Sequence, residues 1–287
     1  MTQKKSFQAE LVGVLGQPVD ENPVGAMFEA GFRECGIDWR YLNIEVYRED
    51  LADAVRGVRA LNMRGVHITM PYKTDVVQYL DEVVSDAAIM GAVNTICMDK
   101  NRRLIGENTD GKGFLRGLKD DGDTDPEGKN VVILGAGGAA RAIAVELALA
   151  GSKRITIVNR TELRGKDLAE LIKSKTETEA SFVKWSGDYS IPSGTDILVN
   201  ATPIGFVDES KPPLEYGSIT REMVVCDVIP NNPSTAFLKE AAQRGVKRVV
   251  DGLSMLVYLG GINFKMWTGM EPPYPVMKEE LKRIFGI

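Results

Sequence analysis

One stretch constrains the fold of this chain more than any other: Asn130-Val-Val-Ile-Leu-Gly135-Ala136-Gly137-Gly138-Ala139-Ala140-Arg141. It reads as a strand, a glycine turn and the start of a helix, in that order. The helix runs to Ala150, where Gly151 stops it, and residues 155–158 read as the next strand. Strand–helix–strand alternation of this kind implies an α/β fold with a parallel or mixed sheet covered by helices.

Residues 135–140 also fit the G-x-G-x-x-A form of the dinucleotide fingerprint. Gly135 permits the tight turn, Gly137 lets backbone approach a pyrophosphate, and Ala140 allows close helix–strand packing. The helix start, with Ala136, Gly138 and Ala139, offers N–H groups and partial positive charge to phosphates. The second strand decides which dinucleotide binds. An NAD binder usually ends it with an acidic residue that bonds the ribose 2′-hydroxyl. Here Asn159, Arg160 and Thr161 stand in that place, followed by Arg164. Two guanidiniums and a hydroxyl suit a 2′-phosphate, because arginine presents planar paired donors. NADP is the expected cofactor.

An earlier α/β pattern precedes this one. Residues 11–15 and 41–46 read as strands, with a helix over 26–34 stopped by Gly36 between them. Residues 48–61 read as a helix with Leu51, Val55, Val58 and Leu61 on one face, and 66–70 as a strand ended by Pro71. Residues 120–129 are acidic, contain Gly and Pro, and read as a linker or surface loop. Further strands are expected at 197–200 and 224–228, and an amphipathic helix at 276–285. At 287 residues the chain is long enough for two domains.

The formal net charge of −5 argues against a nucleic-acid partner. No apolar run approaches the ~20 residues that span a bilayer. The three cysteines, Cys35, Cys97 and Cys226, lack CxxC spacing, which suits a reducing compartment and gives no zinc signature. A polar start without a signal-peptide apolar core completes the expectation of a cytoplasmic protein.

Lys73, Asn94 and Asp110 lie in three short stretches: Val66-His67-Ile-Thr69-Met-Pro-Tyr-Lys73, Gly91-Ala-Val-Asn94-Thr95 and Glu107-Asn-Thr-Asp110-Gly111. Lysine can relay a proton, asparagine can orient a hydroxyl, and aspartate can hold both in place. That set suits hydride transfer at an alcohol carbon, where a proton must leave as the hydride leaves. His67 and Thr69 share one face of their strand. His67, the single histidine of the chain, either bonds the substrate, assists the relay or fills a polar strand position.

Together with Gly135–Ala139, Asn159-Arg-Thr, Asn200-Ala-Thr202, Asp251-Gly252, Met255-Leu256 and Trp267-Thr-Gly269, these stretches resemble the shikimate/quinate dehydrogenase family over almost the whole chain. The resemblance implies a catalytic domain over 1–109 completed by 253–287, and a Rossmann NADP-binding domain over 110–252, with a cleft between them. It implies reversible reduction of a ring ketone, as in 3-dehydroshikimate to shikimate, on the route to aromatic amino acids. Lys73 and Asp110 match the family's catalytic pair, and Asn94 and Thr69 match substrate-binding positions. Val228 and Gly252 match positions beside the nicotinamide. The partner is then a small cyclic polyol, and the protein a monomer or homodimer.

Departures from the family cluster on substrate contacts. The segment after the first strand, Gly16-Gln-Pro-Val-Asp-Glu-Asn22-Pro23, lacks the usual Ser-x-Ser pair that holds the shikimate carboxylate, and Asn22 precedes the proline. His67 stands for an asparagine, Leu259 for a glutamine and Pro230 for a tyrosine. A paralogue acting on quinate, aminoshikimate or another cyclitol is therefore the alternative within enzymes. A non-catalytic NADP-binding regulator is the alternative outside them.

Overall fold

β-Branched runs alternating with helices build two six-stranded sheets. The computed structural model describes residues 8–287. The chain divides into two units, one running up to Glu107 and including Gly261–Leu281, the other comprising Asn108–Gly260 and Lys282–Ile287.

In the first unit, β1 (Glu10–Gly16), α1 (Val24–Glu34), β2 (Trp39–Glu45), α2 (Leu51–Ala60) and β3 (Gly65–Ile68) form a parallel β2-β1-β3 core. The short β4 (Glu82–Val83) and α3 (Ser85–Met90) follow, then β5 (Thr95–Met98) and β6 (Leu104–Glu107). β5 runs antiparallel to both β3 and β6, so the sheet is mixed, in the order β2-β1-β3-β5-β6-β4. Val66 and Ile68 of β3 pack with Leu51, Val55 and Val58 of α2. Full burial of each such side chain is worth about 1.5–3 kcal/mol.

The second unit opens with α4 (Asp110–Asp120). It continues through β7 (Asn130–Leu134), α5 (Gly138–Leu149), β8 (Arg154–Asn159), α6 (Glu162–Lys175), β9 (Glu179–Lys184), β10 (Ile197–Asn200), β11 (Val224–Asp227), α7 (Ala236–Gln243) and β12 (Arg248–Val250). All its strand pairs are parallel, in the order β12-β11-β10-β7-β8-β9. The order reverses between β10 and β7, the switch point where doubly wound sheets place their ligands. β7 is buried between helices on both faces, which its run Val-Val-Ile-Leu requires. α8 (Gly252–Thr268) and α9 (Tyr274–Phe285) complete the chain.

The expected elements are present with shifted ends. The helix expected from residue 26 begins at Val24, and that expected from 48 opens as a 3-10 turn before α2. α2 stops at Ala60, and the left-handed Asn62 (φ 56°) turns the chain away, leaving Leu61 64% exposed rather than on the buried face. β3 ends at Ile68, and Met70 is 74% exposed. Asp120 closes α4 instead of opening the loop. The helices α3, α4, α6, α7 and α8 and the strands β4, β5, β6, β9 and β12 are additions to the expected elements. α8 is buried through Leu253, Val257, Leu259, Phe264 and Trp267, and so lacks the polar face that marks an amphipathic helix.

Candidate active site

In the second unit the chain turns sharply at the end of β7. Gly135 sits at φ 110°, in the left-handed half of the map, and a Cβ there would lie 2.8 Å from the Ala201 carbonyl oxygen. Only glycine fits. At Gly137 and Gly138 the opposite holds: a Cβ would meet nothing within 4 Å, so the first turn of α5 faces open space. Ala140, a little further along the helix, is fully buried.

That space belongs to a cavity of about 260 Å³. Of the residues expected to bind the dinucleotide, Gly135, Ala136, Gly137, Asn159, Arg160, Thr161 and Arg164 line it. Gly138 and Ala139 continue α5 beside it. The guanidiniums of Arg160 and Arg164 make no salt bridge or hydrogen bond among the described residues, in contrast with Arg154, bound to Glu179 at 2.7 Å. Thr161 caps α6 by position, yet its hydroxyl makes no cap hydrogen bond. Two uncompensated cations and an uncommitted hydroxyl at a helix N-terminus suit a phosphate.

Five wall residues escaped sequence reasoning: Trp185, Ala201, Thr202, Pro203 and Ile204. The Asn200-Ala-Thr202 motif was the available signal for the last four; Trp185, just past the unexpected β9, had none. Their placement rests on buried Asn200. Its Oδ1 accepts from the Thr202 hydroxyl (2.7 Å) and amide (3.2 Å), while its Nδ2 donates to the Ile204 carbonyl (3.3 Å) and to Asp227 Oδ1 (3.1 Å). Asp227, 2% exposed, also accepts from the Thr235 hydroxyl (2.8 Å) and the Ile229 amide (3.3 Å). Burial pushes its carboxyl up to about 6, against those stabilising hydrogen bonds. Val228 and Gly252 lie outside the cavity lining. They meet each other instead, since a Cβ on Gly252 would come within 2.3 Å of the Val228 carbonyl carbon.

Asp110 is the first residue of α4, buried, with its amide donating to Asn108 Oδ1 (3.1 Å). A carboxylate in that first turn is favoured by the helix dipole. α4 lies close on α5, where a Cβ at Gly111 would stand 2.5 Å from the Ala142 oxygen.

The first unit holds Thr69, Lys73 and Asn94 at one end of its sheet. The Thr69 amide donates to the Leu15 carbonyl (3.0 Å) and the Ile68 amide to that of Asn94 (2.7 Å); the Lys73 carbonyl accepts from Val93 (2.7 Å). Because β5 is antiparallel, its N-terminal neighbour Asn94 comes to the C-terminal end of β3. Buried Tyr72 anchors the turn that carries Lys73, donating its hydroxyl to the Val46 carbonyl (2.6 Å). Asn22 starts α1: its Oδ1 accepts from the Val24 amide (3.0 Å).

His67 lies on the face of β3 opposite Val66 and Ile68, among Phe28 and Trp267, with ring centroids 5.4 and 4.7 Å away. Nδ1 is 2.7 Å from the Tyr41 hydroxyl and Nε2 is 2.6 Å from the Asn263 amide nitrogen. Asn263 in turn accepts from the Thr95 hydroxyl (3.2 Å). Both ring nitrogens thus have protein partners, which favours the structural reading of this histidine over substrate contact.

A parallel sheet of this order, a glycine turn over an open helix start and cations past the second strand define a dinucleotide-binding Rossmann unit, here joined to a unit carrying a lysine and an amide. Residues 14–96 match the family model described as the shikimate dehydrogenase substrate binding domain, and residues 120–202 match that of shikimate / quinate 5-dehydrogenase. The chain is 40% identical over 280 residues to shikimate dehydrogenase (NADP(+)) of Desulforamulus reducens, covering 96% of both chains. Among solved structures it is similar to 5-ketofructose reductase of Gluconobacter sp. strain CHM43, at 48% identity and TM-score 0.94, covering 97% of this chain and 100% of that one. It is also similar to shikimate 5-dehydrogenase of Thermus thermophilus in complex with NADP(H) and shikimate, at 34% identity and TM-score 0.82, covering 96% and 99%. The chain belongs to the shikimate dehydrogenase family. No helix among the described residues is long and apolar enough to cross a membrane.

Proposed function

We propose that this protein is an NADP-dependent oxidoreductase of the shikimate dehydrogenase type, interconverting a ketone and a secondary alcohol on a small polyhydroxylated substrate. The observation that carries the cofactor choice is the pair of unpaired guanidiniums, Arg160 and Arg164, on the wall of the nucleotide cavity. Gly135–Gly138 would take the pyrophosphate and Arg160, Thr161 and Arg164 the 2′-phosphate. Held by these residues, NADP would supply the hydride donor or acceptor. Lys73 is the proton donor to the alkoxide oxygen as the ketone is reduced and the acceptor in reverse, and Asp110 is the second member of the proposed relay. Asn94 and Thr69 orient substrate hydroxyls.

The division of labour follows the same reading. Residues 1–109, completed by 253–287, form the substrate domain and 110–252 the NADP domain, supported by unit borders at 107/108 and 260/261. A cytoplasmic setting is supported by three free cysteines.

Two substrates stand in order. The family's own, 3-dehydroshikimate, is the first. A neutral sugar ketone such as 5-ketofructose is the second, favoured by the 48% identity to the ketofructose reductase and by Asn22 at the position where serines would meet a carboxylate. NADPH consumption with 3-dehydroshikimate and with 5-ketofructose, and NADP reduction with shikimate, quinate, aminoshikimate, inositols and fructose, decides between them. Turnover of none of these, with NADP bound, would support the non-catalytic regulator instead.

A further inference from the structure

β9 is the edge strand beside β8, and its last residue, Lys184, pairs in register with Asn159, the last residue of β8. That register brings the lysine over the β8–α6 turn. Its Nζ donates to the Arg160 carbonyl at 2.6 Å. Lys184 has no ion pair among the described residues, and two of its three N–H donors are left for other acceptors. Its charge also reaches the first turn of α6, where Lys166 first and Lys184 in addition hold the Glu162 carboxyl below its usual range. Glu162 is itself spoken for, lying 2.6 Å from Lys166. The turn bearing Arg160, Thr161 and Arg164 therefore carries two guanidiniums with no ion pair among the described residues, and this ammonium sits on its Arg160 carbonyl.

Resting on the NADP reading, we propose that Lys184 is a specificity-determining residue for the 2′-phosphate. It acts in two ways. Its ammonium adds positive charge where a dianion must be held, and its bond to the Arg160 carbonyl fixes the turn from which that guanidinium projects. Neither effect touches the adenosine 5′-phosphate, which belongs to the glycine turn at Gly135–Gly138.

Calorimetric titration with 2′,5′-ADP and with 5′-AMP tests this without any ketone substrate. Lys184→Met is expected to weaken 2′,5′-ADP about five- to tenfold while 5′-AMP changes less than about twofold, since the ammonium meets only the extra phosphate. Lys184→Arg restores most of the loss, and the loss shrinks in high salt. Equal effects on both ligands, or none on 2′,5′-ADP, overturn the proposal. Failure of the wild type to prefer 2′,5′-ADP sinks the NADP reading itself and this proposal with it. Unchanged melting temperatures, expected for an exposed side chain, keep folding out of the comparison.

Discussion

Asp227 offers a sharp quantitative test. Its carboxyl ordinarily titrates at 3.8 and here at about 6, chiefly because burial disfavours the charged form. A raised folded-state value means that the folded protein holds the proton more tightly than the unfolded chain. The linked stability is therefore fully present below 3.8 and lost as pH rises through about 6. The whole effect amounts to about 3 kcal/mol, and the part lost between pH 5 and pH 8 to about 1.4 kcal/mol. Asp227→Asn removes the charge and keeps an acceptor at Oδ1 for Asn200 and Ile229; the new amide faces the Thr235 hydroxyl, which can accept. Burial holds the neighbouring Tyr216 hydroxyl and Cys226 thiol well above their usual values, so neither titrates between pH 5 and pH 8. Urea unfolding followed by circular dichroism should show the stability of Asp227→Asn, relative to wild type, improving by about 1.4 kcal/mol from pH 5 to pH 8. A relative stability constant within about 0.3 kcal/mol over that range would refute the reasoning, because the buried carboxyl would then not titrate there.

Lys73→Ala should lower turnover about 10²–10⁴-fold with cofactor affinity nearly unchanged, measured by steady-state rates beside NADPH fluorescence titration; retained turnover removes it from the relay. Arg160→Ala and Arg164→Ala should each raise KM for NADP about tenfold and leave that for NAD alone; parallel losses for both cofactors would count against the 2′-phosphate assignment. His67→Ala should cost about 2–4 kcal/mol, since it opens a gap between Phe28 and Trp267 and strips a partner from Tyr41 and Asn263. Its KM for the ketone should stay within about twofold; a rise beyond tenfold would restore the substrate-contact reading.

Much of this site was legible because its signals are local. The turn at Gly135 needs a residue tolerant of positive φ and close backbone approach, and the cations past β8 follow it by a fixed distance through one helix and one strand. Thr69, Lys73 and Asn94 could be singled out by residue type, but their meeting depends on the antiparallel insertion of β5, which no periodicity announces. Leu61 was placed wrongly because helical spacing continues past Ala60 in the sequence, while the backbone turns at Asn62.

By itself, the sequence determined the alternation of strands and helices, the glycine turn and the absence of an acid after the second strand, since each depends on neighbours a few residues apart. Tertiary structure alone decided that His67 is enclosed by Tyr41 and Asn263, that Asp227 and Asn200 hold up the cavity wall, and that Lys184 reaches Arg160. Those contacts join residues 24 to 196 positions apart. Burial and hydrogen-bond pairing at such separations are properties of packing, which a one-dimensional pattern does not carry.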